Sequence, residues 1–169
     1  MEDVVFDGAQ VVETSDFVFF WQTPAVFCQW TPSTFVIDGV SYSCAEQYMM
    51  AEKARLFGDE QVLEEILAAD SPRDHKRLGR KVAGYADEVW RAKRVEIVVR
   101  GNVAKFEQNP TMLAALLATG DKTLVEASPL DRIWGIGLAA QDKAAQDPSA
   151  WRGLNLLGEA LMRVRAQLR

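Results

Sequence analysis

The sequence predicts a mainly α (α+β) fold, a compact multi-helical domain with a small N-terminal β-hairpin or sheet. Three observations carry this expectation. Strand signals are confined to the first forty residues, helix start and stop signals punctuate the chain from Ser43 onward, and no internal repeat or linker interrupts it. With 169 residues the chain can bury about 68–70% of the surface its unfolded form exposes, so a single domain over residues 1–169 is expected.

The strand signals come first. D-F-V-F-F at 16–20 is rich in aromatic and β-branched residues, and T-F-V-I-D-G-V-S-Y at 34–42 places Asp38-Gly39 between apolar flanks. Two residues that both tolerate positive φ form a type I′ hairpin turn. Ser43 with Glu46 matches a capping box and opens the first helix, which Gly58 stops. A second helix is expected over Asp59–Ala69. Ser71-Pro72 opens a third, to about Gly79, by the N-cap and N1-proline rule. A long fourth covers Asp87–Gln108, a short fifth follows Pro110, and the last runs from Asn155 to Leu168. Between them, 124–150 is rich in Gly, Pro and Asp and reads as irregular, opening with a short strand at Leu124–Glu126.

The composition, 49% hydrophobic and 25% charged, is that of a globular protein. Two cysteines, Cys28 and Cys44, are too few for a disulfide scaffold. The start M-E-D-V-V-F-D-G lacks the basic and apolar regions of a signal peptide, and no apolar run approaches the ~18 residues that span a bilayer. A cytoplasmic protein with no membrane association is expected. The net charge of −5 hides an asymmetry, because residues 73–105 carry ten Lys/Arg against four Asp/Glu. Solvated faces of amphipathic helices explain such a stretch, and so does a local field for phosphate groups.

The first helix carries two opposite charges where it should be apolar. On a wheel advancing about 100° per residue from Glu46, Met50 falls near 40°, Lys53 near −20° and Phe57 near 20°. Glu52 and Arg55 project from the other side, where a solvated face normally carries its charges. Position N3 of a capping box accounts for Glu46 without function. Lys53 has no such account: it snorkels, pairs with Glu46, or serves as an amine whose pKa falls on desolvation, a nucleophile toward a carbonyl or anomeric carbon. The fourth helix repeats the pattern, since Arg94, Gly101 and Lys105 share a face with Trp90 and Ile97. A mid-helix glycine costs about 1 kcal/mol relative to alanine, which marks either close packing or a ligand at Gly101.

Of the five tryptophans, Trp30 and Trp134 lie in loop-like, polar segments, where an indole face suits stacking on a nucleobase. The single histidine, His75, sits in the basic turn R-D-H-K-R, expected to be exposed. Histidine-based nucleophile activation and zinc binding therefore have no natural candidate, and Gly135-x-Gly137 completes no phosphate-loop fingerprint. No metal and no cofactor are expected. Carboxylate, lysine and aromatic chemistry remain.

Four blocks carry a resemblance: F-C-Q-W-T-P-S-T-F-V-I-D-G-V-S-Y-S-C-A-E-Q-Y-M-M-A-E-K-A at 27–54, R-G-N-V-A-K-F at 100–106, L-L-A-T-G-D-K-T-L-V-E-A-S-P-L-D-R-I-W-G-I-G-L at 116–138 and W-R-G-L-N-L-L-G at 151–158. In this order and together, they resemble the NADAR family, named for links to NAD and ADP-ribose. The resemblance implies a compact, mainly helical fold and N-glycosidase activity. Family substrates are a phosphoribosylamino-pyrimidine intermediate of riboflavin synthesis and ADP-ribosylated guanine. It also implies active-site roles for Glu46, Lys53, Lys105, Asp131, Trp134, Trp90 and Asn155, and an imine between Lys53 and the sugar. The chain departs from common family forms in having Cys28-Gln29-Trp30-Thr31 where S-N-F-Y or S-Q-W-Y is usual, and Glu46-Gln47-Tyr48 where E-H-Y is usual.

Residue chemistry and resemblance together give the expected site. Glu46, Lys53 and Asp131 are the catalytic candidates. Arg94, Lys105 and Arg132 are placed for phosphates, Trp134 with Trp30 or Trp90 for stacking, and Asn155 for substrate binding. The expected partner is ADP-ribosylated guanine, with transient nucleic-acid contact, or a phosphoribosyl nucleotide. A binding module that holds ADP-ribose without turnover is the non-enzymatic alternative.

Overall fold

The computed structural model describes residues 11–169 throughout, together with the backbone of Val4–Val5. Most of the stretch M-E-D-V-V-F-D-G lies outside the described residues. In chain order the elements are β1 (Val4–Val5), β2 (Val11–Glu13), β3 (Phe17–Phe20), β4 (Phe35–Ile37), β5 (Val40–Tyr42), α1 (Ala45–Leu56), α2 (Glu60–Ala68), α3 (Pro72–Gly79), α4 (Asp87–Glu107), α5 (Pro110–Ala118), β6 (Thr123–Glu126) and α6 (Leu156–Leu168). Two short 3₁₀ turns, Lys143–Gln146 and Pro148–Ala150, precede α6. The predicted helices are all present, with ends within two residues of those expected. Among the described residues, no helix is long and apolar enough to cross a membrane.

The chain forms two compact units, Met1–Thr31 with Thr111–Arg169, and Pro32–Pro110. The first unit is built on a sheet of order β1-β2-β3-β6, in which β2 pairs antiparallel with β1 and β3. β6 runs parallel to β3 in the register Phe17↔Thr123 to Phe20↔Glu126. The helix α6 packs on β6. Phe19, Val125, Ala127, Ile136, Leu138 and Ala145 make the apolar core, with Phe17 and Trp151 against its edge. The indole N–H of Trp151 donates to the Ala145 carbonyl at 2.8 Å, so this tryptophan is structural.

In the second unit α1 is the central element, packed against α2, α3 and α4. The β4–β5 hairpin turns at Asp38 (φ +51°) and Gly39 (φ +78°), as the Asp-Gly signal predicts. Its free edge is covered by Gln108, which accepts from the Val36 N–H at 2.8 Å and donates to the Val36 carbonyl at 2.9 Å. Tyr42, Tyr48 and Phe35 form an aromatic cluster, with Tyr48 edge-on to Tyr42 at 5.1 Å between centroids.

Two local expectations are corrected. The capping-box partner of Ser43 is not Glu46: Gln47 Oε1 accepts from the Ser43 N–H at 2.7 Å and from its hydroxyl at 3.1 Å, and the N-cap position itself is Cys44. The helix begins one residue late for the box, because Ser43 ends the β5 connection with its carbonyl bound to the Ser33 N–H. His75 is not exposed but 0% accessible. Its neighbours in sequence are charged, yet α3 is amphipathic and turns His75 inward with Leu78. There Nε2 lies 2.8 Å from the Ala69 carbonyl and Nδ1 3.8 Å from Cys44 Sγ.

Candidate active site

The ten predicted site residues divide equally between the units: Glu46, Lys53, Trp90, Arg94 and Lys105 in the second, Trp30, Asp131, Arg132, Trp134 and Asn155 in the first. In the second unit α1 presents Glu46, 5% exposed, on its packed face. With the Ser43 N–H occupied by Gln47, the capping role that accounts for a glutamate at this position falls to its neighbour. Lys53, two turns on, is half-buried. Its ammonium lies 4.7 Å from the centroid of Tyr85 and 5.6 Å from that of Trp90.

Three influences compete at Lys53. Burial withdraws water from the ammonium and lowers its pKa; the nearby Glu46 carboxylate raises it; the Arg80 guanidinium lowers it again. The balance lies below the ordinary lysine value. Sequence leaves open whether desolvation or the carboxylate wins, and the geometry decides for desolvation, helped by a second cation that belongs to the end of α3. A lowered lysine beside a buried carboxylate is the arrangement expected of a nucleophilic amine, since the neutral form carries the reactive lone pair.

Tyr85 was not among the predicted residues. It sits in the loop before α4, its hydroxyl donating to Asp87 at 2.9 Å and its ring against Phe57 at 5.4 Å between centroids. Helical periodicity cannot reach a loop residue, and its sequence neighbours, Gly84 and Ala86, carry no chemistry. Arg94 is half-buried on α4, a turn beyond Trp90, which is buried. Lys105 is 0% exposed, with its ammonium 5.1 Å from the Phe106 ring centroid. It belongs to the interior of its unit rather than to an open face. Gly101 accommodates the Tyr48 ring, which supports the packing reading of that glycine.

In the first unit the segment 128–137 is a tightly tied loop. Ser128 Oγ accepts from the N–H groups of Leu130 and Asp131, and Asp131 Oδ1 from those of Ile133 (2.8 Å) and Trp134 (2.9 Å). Asp131 thus fixes the backbone that carries Arg132 and Trp134, the first exposed and the second half-buried. Asn155 is left-handed (φ +53°), and its side chain spans two β6 groups, accepting from the Glu126 N–H at 3.0 Å and donating to the Leu124 carbonyl at 2.9 Å. It positions α6 on the sheet. Trp30 is half-buried, and its backbone N–H donates to Cys28 Sγ at 3.4 Å.

This fold and these residues define a family. The NADAR domain family matches residues 19–169, and the chain belongs to it. It is 42% identical over 167 residues to "N-glycosidase R617" of Acanthamoeba polyphaga mimivirus, covering 92% of this chain and 98% of the viral one. Identity with "Protein irg-1" of Caenorhabditis elegans is 37% over 171 residues, covering 92% and 81%. "N-glycosidase YbiA" of Escherichia coli (strain K12) is 33% identical over 132 residues, covering 78% and 74%. The NMR structure of E. coli YbiA superposes with a TM-score of 0.75 at 30% identity, over 94% of this chain and 88% of that one.

Proposed function

We propose that this chain hydrolyses the bond between ribose C1 and nitrogen in a ribosylated nucleobase, and that its substrate is guanine bearing ADP-ribose, in a nucleotide or in nucleic acid. That it is an N-glycosidase, hence a hydrolase, rests on family membership and on relatives so named at 42% and 33% identity. The finer assignment is supported within the second unit by the aromatic rings of Tyr85 and Trp90 beside the Lys53 ammonium and by the half-buried Arg94 a turn beyond Trp90, which suit a base and a phosphate together.

The observation that carries the reading is the pair of Glu46 and Lys53 on one face of α1, with the amine held below its ordinary pKa. Breaking C1–N leaves the bonding electrons on the base nitrogen, which takes up a proton, while positive charge builds on C1 and its ring oxygen. A carboxylate at the place of Glu46 stabilises that charge or accepts a proton from the attacking group. The neutral amine of Lys53 supplies its lone pair to C1 of the opened sugar, and loss of water or of the base gives an imine. Water then adds to the imine carbon, and the C–N bond to lysine breaks to return the amine and release the sugar.

The experiment is direct. The protein is incubated separately with an ADP-ribosylated guanine nucleotide and with a phosphoribosylamino-pyrimidine, and the sugar products are separated. Release of ADP-ribose from the first supports the proposal. Release of ribose 5-phosphate from the second alone transfers the activity to a riboflavin-type intermediate, and tight ADP-ribose binding with no release from either substrate makes the chain a binding module.

A further inference from the structure

The loop before α4 is fastened to the junction of α1 and α2 at three points, all within the second unit. Asp59, the N-cap of α2, accepts from the Val62 N–H at 3.1 Å with one carboxylate oxygen and from the Ala83 N–H at 2.8 Å with the other. Gly84, at φ +74°, brings the loop backbone against the end of α1, where a Cβ would lie 3.6 Å from the Phe57 carbonyl oxygen. The Phe57 ring then meets the Tyr85 ring, tilted at 60° with centroids 5.4 Å apart. On its other side the loop runs into α4, where the Tyr85 hydroxyl donates to Asp87 at 2.9 Å and Asp87 pairs with Arg91 at 2.7 Å.

Tyr85 nevertheless stays 45% exposed, so burying its ring is not what this fastening achieves. What the ring faces is the Lys53 ammonium, 4.7 Å from its centroid, while the Trp90 centroid lies 5.6 Å from the same nitrogen. Both distances fall within the ~6 Å over which an aromatic face attracts a cation. The other charges acting at this nitrogen are Glu46 on α1 itself and Arg80 at the end of α3. The α2 helix turns apolar Val62 and Ile66 inward, and β5 offers Tyr42, whose hydroxyl is bound by Arg55. Asp87, Arg91 and Arg94 act at Tyr85.

We propose that Tyr85 is a positioning residue of this site: its face, with that of Trp90, holds the Lys53 nitrogen in its cationic forms, the ammonium of the free enzyme and the iminium of the covalent intermediate. The inference rests on the reading of Lys53 as an imine-forming amine and adds the group that steadies the intermediate. After the amine adds to C1 of the opened sugar, a proton passes from the lysine nitrogen to the base nitrogen. The base leaves with the C1–N bonding pair, and the lysine lone pair closes the C=N bond of a cationic iminium. Desolvation disfavours both cations. A ring face offsets part of that penalty and, unlike a carboxylate, takes up no proton, so the nitrogen remains free to lose one.

The test compares the full chain with Tyr85→Leu, which keeps apolar bulk over the nitrogen and removes the ring face, and with Tyr85→Phe, which keeps the face and removes the bond to Asp87. The pKa of Lys53 is read without substrate, from its rate of acylation by a small activated ester across pH, followed on the Lys53 peptide by mass spectrometry. The iminium is read by borohydride trapping with an ADP-ribosylated guanine nucleotide. In Tyr85→Leu the pKa should fall by about 0.5–1 unit and the trapped fraction about three- to tenfold. Tyr85→Phe should return both toward the wild-type values. An unchanged pKa in Tyr85→Leu overturns the proposal, and a raised one overturns it by making the ring a cover against water. Losses in Tyr85→Phe as large as in Tyr85→Leu overturn it in favour of the Asp87 bond. A fallen pKa with undiminished trapping overturns the part that concerns the iminium. A wild type that neither releases sugar nor gives an adduct, with the pKa difference present, defeats the imine reading and leaves the hold on the ammonium standing.

Discussion

Replacing Gly101 by alanine sets two effects of similar size against each other. Alanine in a helix interior is favoured over glycine by about 1 kcal/mol, so propensity alone stabilises α4. The new methyl, however, would lie 2.9 Å from Tyr48 Cε1 and 3.3 Å from Cγ, with Cδ1 nearer still. Tyr48 is buried, edge-on to Tyr42 and Phe35, so its ring moves only if two other aromatic rings move with it. Overpacking of this kind costs about 1–3 kcal/mol. The sum is a net loss of about 1 kcal/mol, which at this chain length lowers Tm by about 2–4 °C. Gly79→Ala is the control: its methyl would meet Met50, 3.0 Å from Cγ, and an unbranched thioether yields where a ring cannot. Urea unfolding of the three proteins measures the difference. A Gly101→Ala protein as stable as the wild type, or more so, refutes the claim that Tyr48 fills the space over that glycine.

Glu46→Gln should melt with the wild type, since Gln47 already binds Ser43, and should lose about 10²-fold or more in turnover; a parallel loss of stability, seen by thermal denaturation, would return Glu46 to a structural role. Burial lowers the pKa of His75 from its ordinary 6.5, against the pull of the Ala69 carbonyl. The folded state then binds fewer protons than the unfolded one below pH 6.5, so the contribution is complete above that value and is lost as pH falls toward the depressed pKa. His75→Gln should flatten this part of the stability–pH curve, measured by urea midpoints between pH 7 and 5. Asn155→Ala removes an acceptor and a donor from β6 and should cost about 2–4 kcal/mol by the same assay, with turnover per folded molecule retained; a stable but inactive protein would assign the residue to substrate.

Element existence was legible because it is local. Ser71 before Pro72, Gly58 at positive φ and Asp38-Gly39 each act within a few residues, and each appears where its chemistry requires. The parallel pairing of β6 with β3 was not legible, since it joins Phe17–Phe20 to a segment more than a hundred residues away. His75 was misjudged because its neighbours in sequence are charged while its neighbours in space are Cys44 and Ala69. At the candidate site, helical spacing placed Glu46 and Lys53 on one face of α1, and the structure buries the first and half-buries the second. Spacing could not find Tyr85 and Arg80, which reach Lys53 from a loop and from the end of another helix.

The central claim is that Lys53 acts as an amine. Sodium borohydride added during turnover reduces an imine to a stable secondary amine, and digestion followed by mass spectrometry locates it. The account expects an ADP-ribosyl adduct on the peptide containing Lys53, forming more readily as pH rises through a pKa below the ordinary 10.5. It expects neither adduct nor turnover in Lys53→Arg, because a guanidinium stays protonated. An active Lys53→Arg enzyme, or a wild type that turns over without a trappable adduct, would contradict the account and leave Glu46 activating water.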